Sequence, residues 1–151
     1  MEYTFCWQSF VGTSVAKTEA GAAEIGWEIL RDAMAGGPAN AFEIRSDDGR
    51  LWIFEFRPGT SGVPKLLRGE TRDDATKKRP TRSDYLVHWV FPMDNALSAR
   101  DAANAGAGVA ADALSGGPAS ILIVEDYTGL KTPFDLADGK ARRAGASYRS
   151  R

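Results

Sequence analysis

The chain is poor in the residues that most chemistry needs. It has one cysteine, Cys6, and one histidine, His88, in 151 residues. A single cysteine forbids an internal disulfide and fits a reducing compartment, so a cytoplasmic location is expected. One residue of each kind also leaves too few ligands for a Cys/His metal cage, and no metal or other cofactor is expected. No apolar run approaches the length that spans a bilayer, and the N-terminus lacks the charged-then-apolar profile of a signal peptide, so no membrane partner is expected. A phosphate-cradling glycine loop, a serine-centred nucleophile elbow and a metalloprotease signature are all missing. Net charge is nearly absent too, at −1.

That small net charge hides a segregation. Residues 57–84 carry eight Lys/Arg against four acids, and residues 137–151 carry five against one. The remainder holds six basic and fifteen acidic residues. An acidic body with two basic appendages favours appendage-to-body contacts and keeps an anionic partner in view. The hydrophobic fraction of 43% and four Trp supply enough for a packed interior.

What is present in abundance is self-similarity. Gly36-Gly37-Pro38-Ala39 recurs as Gly116-Gly117-Pro118-Ala119, and at the same offset Ala22, Gly26, Asp32, Gly49 and Phe54 meet Ala102, Gly106, Asp112, Gly129 and Phe134. So long a period, seen twice, indicates an internal duplication. In the first copy Tyr3, Phe5 and Trp7 alternate with Thr4, Cys6 and Gln8, as in a strand. The period then becomes helical from Thr18 to Ala35, with Ala22, Ile25, Gly26, Ile29, Ala33 and Met34 inward. The Gly-Gly-Pro stretch stops that helix. Strands follow at 39–45 and 51–56, joined by the turn Asp47-Asp48-Gly49.

The second copy repeats the order. A strand at 85–91 is apolar on both faces and therefore expected to be central. A helix at 98–115 follows with Asp94, Asn95 and Ser98 as candidate caps; its expected inner face is Ala102, Ala105, Gly106, Val109 and Ala113. Strands at 121–125 and 130–136 close it, the last expected at an edge because of Pro133.

The expectation is an α+β fold of two tandem strand-helix-strand-strand (βαββ) repeats, 1–56 and 85–136, related by a pseudo-two-fold axis. A charged linker loop at 57–84 joins them and a flexible basic tail covers 137–151. The sheet should be mainly antiparallel, with both helices on one face. In element order this arrangement resembles the tandem modules of GyrI-like ligand-binding domains. The paired units of glyoxalase and bleomycin-resistance proteins are similar, with an extra strand each. The resemblance is of architecture, and neither family's motifs occur here.

Three kinds of site follow. Aligning Phe5-Cys6-Trp7 with Val87-His88-Trp89 puts the lone cysteine and the lone histidine at equivalent positions. If the leading strands pair, an imidazole near the thiol could generate a thiolate; two buried structural residues are the plainer alternative. Trp7 and Trp89 could line a ligand groove between the repeats. Lys77, Lys78, Arg79, Arg82, Arg142 and Arg143 could contact a partner or phosphates. The expected function is a non-enzymatic protein-binding or assembly module, homo-oligomeric or bound to another protein, acting through its sheet face, linker and tail. The alternatives are a small-ligand binder and a nucleic-acid-contacting accessory protein; an enzyme comes after these. The motive for assembly is that two helices cover one face of a sheet whose leading strands are apolar on both.

Overall fold

A computed structural model describes residues 2–58, 64–72, 79–115 and 120–149. Among the described residues it is α+β: two helices and nine strands in one sheet, with every strand pair antiparallel. In chain order the elements are β1 (Tyr3–Gly12), α1 (Glu19–Met34), β2 (Ala41–Ser46), β3 (Arg50–Glu55), β4 (Lys65–Arg72) and β5 (Asp84–Met93). Then come α2 (Ala99–Leu114), β6 (Ile121–Glu125), β7 (Leu130–Asp135), β8 (Arg142–Arg143) and β9 (Tyr148–Arg149). Across the sheet the order is β4-β3-β2-β1-β5-β6-β7-β8, with β9 also on β7. The two leading strands meet in the middle, where Trp7 lies opposite Trp89 and Gln8 opposite His88.

Local chemistry accounts for the element ends. Thr18 caps α1 by accepting the Gly21 amide at 3.0 Å, and Ser98 caps α2 by accepting from Asp101 at 3.1 Å. The Asp101 carboxylate accepts the Leu97 amide, one residue before the cap, and so ties down the approach to the helix. After α1, Gly36 turns left-handed at φ +98°. The Gly37 amide returns to the Asp32 carbonyl at 2.8 Å and the Gly36 amide to Ala33, closing the helix. The matching stretch 116–119 lies outside the described residues.

Both helices lie on one face. Gly26 of α1 sits against Val87, and Gly106 of α2 sits against Phe5. Phe5 and Val87 project from the same side, because Trp7 and Trp89 are register partners and alternate residues share a face. The core between helices and sheet is aromatic: Phe5 stacks on Phe42 at 4.6 Å and on Phe91 at 4.7 Å, and meets Trp89 edge-on at 5.5 Å.

Several expectations need correction. The segment 57–84 is not simply a loop, since β4 within it pairs with β3 as an outer strand. The tail is not free: β8 and β9 pair with β7, the Ala144 amide bonds Pro133, and the Ala141 amide bonds Glu24 of α1 at 2.9 Å. Pro133 is thus next to the edge rather than on it, and its carbonyl is used although it has no N–H to offer. The helix stripes are also rotated from the expected phase. Trp27 and Leu30 are buried in α1, and Ala110 is buried in α2, where Ala105 is exposed. Burying the largest side chains outweighs the regular spacing of smaller ones.

Candidate functional site

The face that the helices leave open combines apolar side chains with a polar stripe that the sequence reading does not include. A diagonal of polar side chains crosses its middle strands. Gln8 on β1 and His88 on β5 are register partners, and the amide Nε2 lies 3.0 Å from His88 Nδ1. His88 Nε2 lies 3.0 Å from Glu125 Oε1 on β6. Glu125 is opposite Lys131 on β7. On β2, Arg45 bonds Glu43 at 2.7 Å, and Glu43 is opposite Cys6. Alternation along five adjacent strands lines these residues up, so secondary structure alone positions the stripe.

The site is poorly hydrated. The side chains of His88 and Glu125 are 13% and 14% exposed. Burial pushes the His88 pKa below its usual value, against the opposing pull of the Glu125 hydrogen bond and charge, and the Lys131 and Arg45 cations push it the same way as burial. The donors and acceptors match for a neutral ring: Gln8 donates to Nδ1, and Nε2–H donates to the Glu125 carboxylate. A shallow depression of about 130 Å³ lies beside the stripe, lined by Cys6, Gln8, Glu43 and Ile53 among others.

Cys6 and His88 do share this face as diagonal neighbours, Cys6 being opposite Val90 and His88 opposite Gln8. Both ring nitrogens of His88 are directed to Gln8 and Glu125, however, and Cys6 is buried at 3% exposure. The arrangement holds an imidazole in place; it does not aim one at a thiol. Among the described residues Trp7 and Trp89 face no open groove, because both are buried at 1% on the helix side, and Trp7 donates its indole N–H to the Ala39 carbonyl. Their size places them in the core, where a tryptophan buries most area.

The described cationic residues lie at separate places. Lys77 and Lys78 lie outside the described residues. Arg79 is exposed, and Arg82 stacks over Tyr127 at the turn that precedes β7. Arg142 pairs with Asp138 at 2.6 Å, and Arg143 donates to Ser147, both at the other end of β7. Among the described residues, Arg79 and Arg82 share no patch with Arg142 and Arg143. Among the described residues no group of three or more His, Cys, Asp or Glu is arranged to hold a metal, and no helix is long and apolar enough to cross a membrane.

The partners that sequence reasoning missed are Gln8, Glu43, Arg45 and Glu125. A signal for them exists: alternation puts Gln8 on the face of Cys6, and the repeat offset sets Arg45 against Glu125. Fold and face together define the class, an α+β protein with a helix-covered and an open sheet surface. Beyond the class, comparison goes no further: no known protein family, no curated protein and no solved structure matches the chain.

Proposed function

We propose that the chain is a non-enzymatic binding module that assembles through the open face of its sheet, with a second copy of itself as partner. One observation carries this reading: Phe10, Val90, Ile121 and Tyr148 lie on that face, each 43–44% exposed. Eight strands in a row, at about 4.8 Å spacing and about 17 Å long, make a face of roughly 600 Å² per copy. Two such faces total about 1,200 Å², the lower bound for a stable interface. The apolar side chains supply affinity, and the half-buried stripe from Glu43 to Lys131 sets orientation, because a misplaced partner would leave its charges desolvated and unpaired.

The same reading takes the fold as two tandem repeats, 1–56 and 85–136, about a pseudo-two-fold axis between Trp7 and Trp89. Their mutual pairing and the run of matched residues support it. A lone cysteine supports a reducing, cytoplasmic setting. Light scattering after size exclusion at low micromolar concentration should give twice the chain mass of 16.3 kDa, and Val90→Glu should return it to one copy that still unfolds cooperatively. A species of 16.3 kDa indifferent to dilution and salt would refute assembly.

A further inference from the structure

On the helix side of β7 a cleft of about 370 Å³ lies between the start of α1 and the tail. Leu130, Thr132 and Phe134 form its floor, with Glu19 on the α1 side and Arg143 and Ser147 on the tail side. Register brings these residues to one face. Thr132 is opposite Val124, Val124 is opposite Val87 beneath α1, and Arg143 is opposite Phe134. The volume falls within the roughly 300–1,000 Å³ of small-ligand sites.

Both charges in the cleft lack an ionic partner. Among the described residues Glu19 forms no ion pair, and Arg143 forms none either, donating to Ser147 Oγ at 2.6 Å. Ser147 Oγ in turn lies 2.7 Å from Thr132 Oγ1. Two hydroxyls carry two protons; their mutual bond uses one, and the guanidinium, itself a donor, takes none. One O–H is therefore left to donate, in a pair whose threonine is only 6% exposed. At the offset that matches Phe54 to Phe134, the residue standing in place of Thr132 is Trp52, which packs against the core. Threonine instead of an indole leaves room over the floor and puts a hydroxyl there.

These groups ask for a ligand with both signs of charge. A carboxylate suits the Arg143 fork and the spare hydroxyl proton, and an ammonium suits Glu19. An inorganic anion or a phosphodiester would meet the like charge of Glu19. An uncharged ligand would desolvate both charges and pair neither. Leu130 and Phe134 offer surface for an apolar side chain.

We propose that this cleft binds a small zwitterion of the amino-acid or dipeptide class, its carboxylate on Arg143 and the Thr132–Ser147 hydroxyls and its ammonium on Glu19. The cleft lies on the helix side, away from the assembly face, and the proposal stands whether or not the chain self-associates. The test is thermal shift of the full chain with each free amino acid and a panel of dipeptides at millimolar concentration, followed by calorimetric titration of those that raise the melting temperature. At least one apolar zwitterion should do so. Its N-acetyl and carboxamide forms, each lacking one charge, should bind at least about tenfold more weakly, and so should the zwitterion to Glu19→Gln and to Arg143→Gln. Glutamine keeps much of the length and removes the charge, so both variants should still unfold cooperatively without ligand. Val90→Glu, on the opposite face, should leave binding unchanged. The proposal would be overturned if no zwitterion raises the melting temperature, if either blocked form or inorganic phosphate binds as tightly, or if binding is indifferent to either charge variant. Binding lost on Val90→Glu would overturn it too, while placing the contact on the open face.

Discussion

His88 is the chain's only imidazole, and it is held from both sides within a sheet face that water reaches poorly. Burial is the largest influence on it and lowers its pKa, with Lys131 and Arg45 acting in the same direction and Glu125 against them. In the unfolded chain a histidine titrates near pH ~6.5. Between that value and the lower folded one, the unfolded state binds more protons, so stability rises with pH. The contribution of His88 is therefore fully present above about pH 6.5 and is lost as the pH falls through the folded value. Urea midpoints followed from about pH 8 to 5 should decline for the parent chain, and His88→Gln, whose amide can still bridge Gln8 and Glu125, should lack that component. Parallel curves would mean that the ring is hydrated in solution.

At the scale of elements, a glycine within each helix makes a close approach to the sheet. A Cβ on Gly106 would stand 2.3 Å from Phe5 Cδ2, and one on Gly26 would stand 2.6 Å from Val87 Cγ1. Phe5 has no slack, being stacked between Phe42 and Phe91. Alanine is the better helix former by about 1 kcal/mol, but overpacking a tight core costs about 1–3 kcal/mol. Gly106→Ala should accordingly destabilise, whereas Gly108→Ala, with nothing within 4 Å, should stabilise by up to about 1 kcal/mol. Chemical denaturation of the two variants reads the difference directly. Equal effects would show that α2 rides higher on the sheet. The poor composition of α2 is thus explained by contact: small residues let the helix lie close, and area buried at short range offsets weak propensity.

At the scale of the molecule, neither half is self-contained. Helix α1 comes early in the chain, yet it rests on β5, β6 and β7 as well as β1, while α2 reaches back over β1 and β2. The tail adds a bond from Ala141 to Glu24, across most of the chain length. Residues 1–56 or 85–136 alone would leave a helix and a central strand without the partners that bury them. Each fragment should show no cooperative thermal transition by circular dichroism, and mixing the two should restore part of one. A fragment that melts cooperatively by itself would show that each half carries its own core.

Periodicity and turn chemistry are local, and what depends on them could be read before any coordinate. The alternation of β1, the helical spacing of α1 and α2, the cap at Ser98, and the turns at Gly49 and Gly129, both at φ +86°, belong to that group. So does the central place of β5, because a strand apolar on both faces has few other positions open to it. Strand β4 escaped because an outer strand buries little and so keeps no apolar alternation to detect. Strands β8 and β9, two residues each, are too short to show a period. Alternation shows that Gln8, Cys6 and His88 face away from Trp7 and Trp89, but it does not say which residue stands across the gap. That choice rests on the β1–β5 register, in which Trp7 meets Trp89 and His88 therefore meets Gln8 instead of Cys6. Register is settled by how the aromatic side chains pack under two helices, a balance among residues far apart in the chain that no local pattern records.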